Sequence, residues 1–221
     1  MNKKDKRKVE SNIKLDVKIK AEQTFEHFKE FTDGVRVLFL IHRNKEGGET
    51  NNTKTMKVVT TNPEDFLYEL TKLIDYKERN SDIPYRIYSS VNSRDIGKAI
   101  RQLKYEQLDA DYYGENDRDA FYLDIKNRWI GCLMQPKQKE TSNFLFDIDD
   151  VEGKDLCGET LKALSGCDDC VILKQYKTKN GWHIVTGPFN YTKLYFPERN
   201  FMGSLPDGVE IKTDALLLLA Y

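Results

Sequence analysis

Three stretches place acids or a histidine against apolar, strand-like sequence: FLFDIDD (144–150), KTKNGWHIVTG (177–187) and EIKTDALLLL (210–219). On a strand, residues i and i+2 share a face, so Asp147 and Asp149 would be close neighbours. Two like charges so placed push one carboxyl pKa up unless a cation sits between them. Hard oxygen ligands of this kind suit Mg²⁺ or Mn²⁺, which keep several waters and bridge to substrate phosphates. The competing reading is a strand running out into an acidic turn, a role that suits Asp150 on the opposite face.

The second stretch holds His183 just after Asn180-Gly181, with Lys177 and Lys179 just before it. A histidine and two lysines on one hairpin make a candidate triphosphate cradle, with Gly181 allowing close backbone approach. An ordinary hairpin with exposed lysines is the plainer alternative. In the third stretch Asp214 abuts an apolar run, with Glu210 and Asp207 as competitors. Asn92 and Arg94, near a helix start, are candidates for a template phosphate contact, against helix capping plus a surface arginine. Tyr112 and Tyr113 are candidates for base stacking, against core packing.

The elements that must position these residues follow from periodicity. Short helix character covers 21–32, and VRVLFLIHR (35–43) reads as a strand followed by a polar loop, NKEGGETNNT. Asn62-Pro63 starts a helix whose Phe66, Leu67, Leu70, Leu73 and Ile74 share a face. IPYRIYSSV (83–91) is a strand, and Asn92-Ser93 caps a helix through Ile96, Ala99, Ile100 and Leu103. A further helix is expected over 117–133. From 143 the pattern turns to β: NFLFDID, then a helix in GKDLCGETLKALSG, then two strands around Asn180-Gly181, the strongest short hairpin signal. VEIKTDALLLLAY (209–221) is strand-rich. The chain therefore reads as α/β (α+β) in two parts, 1–140 and 141–221.

Composition bounds the rest. With 39% hydrophobic and 32% charged residues the chain suits a folded globular protein. No apolar run approaches the ~20 residues that cross a bilayer, and the start lacks the apolar stretch of a secretory signal; the expectation is a cytoplasmic protein without membrane contact. Lys and Arg number 35 against 36 Asp and Glu, so a polyanion partner is not written into net charge. The basic residues 3–8 read as a disordered solubilising tail, with nucleic-acid contact as the alternative. Four cysteines at 132, 157, 167 and 170 include Cys167-Asp-Asp-Cys170. That spacing, with Cys157, is a weak zinc signal; structural or incidental thiols are the stronger reading.

Taken in order, FDID (146–149), NGWH (180–183) and the stretch ending at Asp214 resemble the archaeo-eukaryotic primase superfamily, including primase-polymerases of phages, plasmids and mobile elements. The likeness covers about 143–221, with Gly181 standing where that family has Ser. It implies an N-terminal α/β lobe and an RRM-like antiparallel catalytic sheet. It implies nucleotidyl transfer to a nucleic-acid 3′ end, or primer initiation. Asp147, Asp149 and Asp214 would then hold two divalent ions, Mg²⁺ or Mn²⁺. His183, with Lys177 or Lys179 and Gly181, would bind the triphosphate. Implied partners are nucleoside triphosphates, single-stranded or primed nucleic acid, and a helicase or replisome component; the compartment would be the host cytoplasm if phage-encoded. Two alternatives use the same residues: a nucleic-acid-binding replication-accessory module with weak catalysis, and a metal-dependent nuclease.

Overall fold

The chain folds as a mixed α/β protein in the computed structural model, which describes residues 3–42, 55–194 and 205–220. Six α-helices and two four-stranded sheets occur among these residues. Two compact units emerge: Met1–Glu140 with Leu218–Tyr221, and Thr141–Leu217. The closing residues thus join the first unit, where the sequence pattern had grouped them with the second.

The first unit starts with α1 (Lys3–His27), so the backbone of the basic stretch is helical rather than a loose tail. Strands β1 (Arg36–His42) and β2 (Thr55–Thr60) pair antiparallel. The expected polar loop between them lies outside the described residues. Helix α2 (Pro63–Arg79) begins as its sequence dictates: the Asn62 side chain accepts the Asp65 backbone N–H at 2.9 Å, and Pro occupies the first turn. Its Phe66, Leu70, Leu73 and Ile74 are buried. Strand β3 (Tyr85–Ser90) pairs antiparallel with β1.

Helix α3 (Ile96–Tyr113) is capped by Asp95, whose Oδ1 accepts the Lys98 N–H, and not by Asn92 or Ser93. Ala99 is buried on it, but Ile100 is 40% exposed. The single helix expected over 117–133 is two, α4 (Glu115–Leu123) and α5 (Ile125–Leu133), interrupted at Asp124. The first sheet runs β2-β1-β3-β8, with β8 being Leu216–Ala220.

The second unit runs β4 (Phe144–Asp149), α6 (Leu156–Ser165), β5 (Ile172–Lys177), β6 (Gly181–Thr186) and β7 (Val209–Lys212). Its sheet order is β5-β6-β4-β7, and every pairing is antiparallel. Alternation sorts β4 into two faces. Phe146 and Ile148 enter a core with Leu156, Leu164, Cys167 and Ile184, while Asp147 and Asp149 take the other face. Burying Phe146 alone contributes about 2–3 kcal/mol, which pins the register and therefore the acids. Asp155 caps α6 by accepting the Gly158 N–H at 2.9 Å.

Candidate functional site

One row of side chains crosses the second sheet. Register sets Tyr176 of β5 opposite His183 of β6, His183 opposite Asp147 of β4, and Asp147 opposite Glu210 of β7. The Cβ atoms of such directly opposed residues lie only about 5 Å apart, so polar groups in the row must engage one another.

They do so as a chain. His183 Nε2 lies 3.1 Å from Asp147 Oδ1, and Tyr176 Oη lies 2.7 Å from His183 Nδ1. A carboxylate only accepts, so Nε2–H donates to Asp147. In the neutral ring Nδ1 then accepts from the Tyr176 hydroxyl. Tyr176 and His183 are both buried. From β7, Lys212 reaches diagonally and donates to Asp147 Oδ2 at 2.6 Å, while its ammonium stands 3.2 Å from Glu210 Oε2. Both Asp147 oxygens are therefore engaged. Hydrogen bonding from His183, followed by that from Lys212 and the electrostatic pull of the same two groups, outweighs desolvation and holds the Asp147 carboxyl far below the ordinary carboxylate range. Burial pulls the Lys212 pKa down, but the Asp147 hydrogen bond and the two carboxylates outweigh it, and the net shift is upward.

Asp149 sits at the exposed end of β4, paired with Gly181. Asp150 follows the strand and donates its N–H to the Asn180 carbonyl at 2.8 Å, extending the ladder. Asp214 falls in the bend between β7 and β8; the acid in register with Asp147 is Glu210. Among the described residues no three His, Cys, Asp or Glu side chains converge as a ready metal cluster.

The hairpin itself differs from its sequence signal. The Thr178 N–H donates to the Gly181 carbonyl at 2.8 Å, so the connecting residues are Lys179 and Asn180, and Gly181 begins β6. Gly181 is needed for a steric reason: a Cβ there would overlap the Ile148 carbonyl oxygen on β4. The close approach it permits is to a neighbouring strand. Lys177 pairs with Trp182, its ammonium 6.0 Å from that ring. Trp182 faces opposite to His183, so Lys177 is on the other side of the sheet from the polar row. Lys179 is exposed in the connection. No family of known proteins enters the comparison: no protein-family model, curated protein or solved structure matches this chain.

Other candidates move as well. Asn92 and Arg94 are each 0% exposed, and the Arg94 N–H donates to the Val35 carbonyl at 2.9 Å. An interior guanidinium is not a surface phosphate contact, and neither residue caps α3. Tyr112 and Tyr113 are exposed at 84% and 72%, contrary to the core-packing reading. Cys157 and Cys167 are buried in the second unit's core, where burial raises the Cys157 thiol and lifts Cys170 to about 11. No helix of the described residues is long and apolar enough to cross a membrane.

Tyr176 and Lys212 are the participants that sequence reasoning missed. For Tyr176 a signal existed: across a two-residue connection at 179–180, the residue facing 183 is 176. For Lys212 none did, because the long segment between β6 and β7 leaves their register open.

Proposed function

We propose that the chain is a metal-dependent nucleotidyltransferase of the primase-polymerase kind, extending a nucleic-acid 3′ end or starting primers. The observation that carries this reading is the direct pairing of Asp147 with His183 at 3.1 Å, on the sheet face turned away from the Phe146–Ile148 core. The β-α-β-β-β order of the second unit, with the sheet arranged β5-β6-β4-β7, supports an RRM-like platform beneath it.

The donor chemistry fits a divalent cation. Asp147 and Glu210 already share a cationic group, the Lys212 ammonium, and Mg²⁺ is commonly held by one or two carboxylates completed by substrate phosphates and water. Asp147 and Asp149 would hold the metal, with Glu210 or Asp214 as the third acid. When bound, such an ion supplies charge for activating a 3′-hydroxyl and stabilising departing pyrophosphate. The protein's own part is positional. Tyr176 fixes the His183 tautomer, His183 fixes Asp147, and the low carboxyl pKa keeps Asp147 charged at any working pH. Lys212, and Lys179 in the connection, supply positive charge for a triphosphate.

The test is incubation with primed and unprimed templates, labelled nucleotides, and Mn²⁺ or Mg²⁺. Extension that vanishes in Asp147→Asn and Asp149→Asn supports the proposal; comparing Glu210→Gln with Asp214→Asn identifies the third acid. A second reading, a replication-accessory module that binds nucleic acid with little catalysis, draws on both Asp147 oxygens being taken by protein groups. Template binding without extension favours it. Template shortening points to a nuclease.

A further inference from the structure

Asp147 treats its two oxygens unequally. Oδ1 faces His183, whose side chain is 9% exposed and whose far nitrogen is tied to buried Tyr176. That side is closed: removing His183 from Asp147 would disturb two buried groups at once. Oδ2 faces Lys212, whose side chain is 35% exposed and whose other partner, Glu210, is 71% exposed. That side is open, and Lys212 hangs on a flexible four-carbon stem able to swing to solvent.

We propose that the space between Asp147 Oδ2 and Glu210 Oε2 is an exchangeable cation seat, and that Lys212 is its built-in occupant, displaced when a divalent ion binds. This rests on the metal-dependent reading above and extends it by naming the group that competes with the metal. The ammonium and a divalent ion cannot share Oδ2, because like charges a few ångströms apart in a half-buried site repel strongly. Lys212 thus has two positions with two uses. Seated, it offsets the repulsion between two carboxylates that strand register forces together. Displaced, its ammonium turns toward solvent, away from the ion, while strand β7 keeps it two residues from Glu210, within reach of a phosphate oxygen that can accept from it.

The experiment is Mn²⁺ titration of the full chain, followed by loss of the free-ion electron paramagnetic resonance signal at constant ionic strength. Folding of each variant is checked by circular dichroism. Lys212→Met is expected to bind Mn²⁺ at least about 5-fold more tightly than wild type, the low end of the coupling typically seen between two binding events. Lys212→Gln provides the same test should the Met variant fail to fold. Asp147→Asn is expected to lose most binding. If both lysine variants bind Mn²⁺ no more tightly than wild type while Asp147→Asn still binds poorly, the seat proposal is overturned and the metal reading stands. If Asp147→Asn binds as wild type does, or no variant binds at all, the metal reading falls and the seat with it.

Discussion

Replacing Asp147 by Asn keeps the shape and removes the charge, so its cost reads the strength of the polar row. Two charge-assisted contacts are lost, one to buried His183 and one to Lys212. Hydrogen bonds to charged groups contribute about 1.5–3 kcal/mol when protected from water. The Lys212 contact is a third exposed on each side, which brings it to about 1 kcal/mol. The His183 contact retains a neutral hydrogen bond to the amide and loses about 1 kcal/mol. The variant should therefore unfold with about 2 kcal/mol less stability at pH 7, the two contributions overlapping because they share one carboxylate. Dependence on pH gives the sharper check. A carboxyl whose folded pKa is depressed contributes stability that is complete above the unfolded pKa, near 3.9, and is lost as pH falls toward the folded value. The gap between wild type and Asp147→Asn should hold from pH 7 to about 5 and then narrow. The ceiling is about 1.4 kcal/mol per pH unit below the unfolded pKa, roughly halved for a partly exposed group. Urea unfolding at pH 7, 5, 4 and 3 measures it. A variant as stable as wild type at pH 7, or a gap that widens toward pH 3, would refute the reasoning.

Other changes test neighbouring parts. Gly181→Ala should destabilise by about 3 kcal/mol, since the new methyl meets strand backbone that cannot turn aside; urea midpoints show it. Tyr176→Phe removes the hydroxyl on His183 Nδ1 and should cost about 1–2 kcal/mol, with a shifted His183 ring ¹⁵N signal reporting the changed environment. Asp155→Ala should cost about 1 kcal/mol through the lost α6 cap. Lys177→Ala should leave stability within about 0.5 kcal/mol of wild type, because that lysine lies over Trp182, off the polar row.

Local sequence carried the parts that local physics decides. Asn62-Pro63 begins α2 because cap and proline chemistry need only a few residues, and β4 shows its faces because Phe146 and Ile148 alternate with Asp147 and Asp149. The hairpin was visible, but its centre was not: Asn-Gly suggests Gly181 in the turn, whereas a clash across β4 makes Gly181 a strand residue. Even so, pairing parity alone separates Lys177 from His183, because in an antiparallel hairpin with an even connection an odd-numbered residue faces even-numbered ones. Arg94 was misread because nothing short-range distinguishes a buried arginine from an exposed one. Glu210 and Lys212 join Asp147 through register across a long connection, which no nearby residue encodes.

Strand β8 pairs with β3 although roughly 125 residues of chain separate them, all but the last two residues of the second unit included. The second unit is therefore spliced into the first, held by the chain at both of its ends. During synthesis at about 5–20 residues per second, β3 waits many seconds as an open strand edge before its neighbour emerges. Such edges invite pairing with foreign strands. Order of manufacture and order of closure are thus opposed in this molecule. Chains interrupted anywhere inside the second unit leave the first with an unfinished, adhesive sheet.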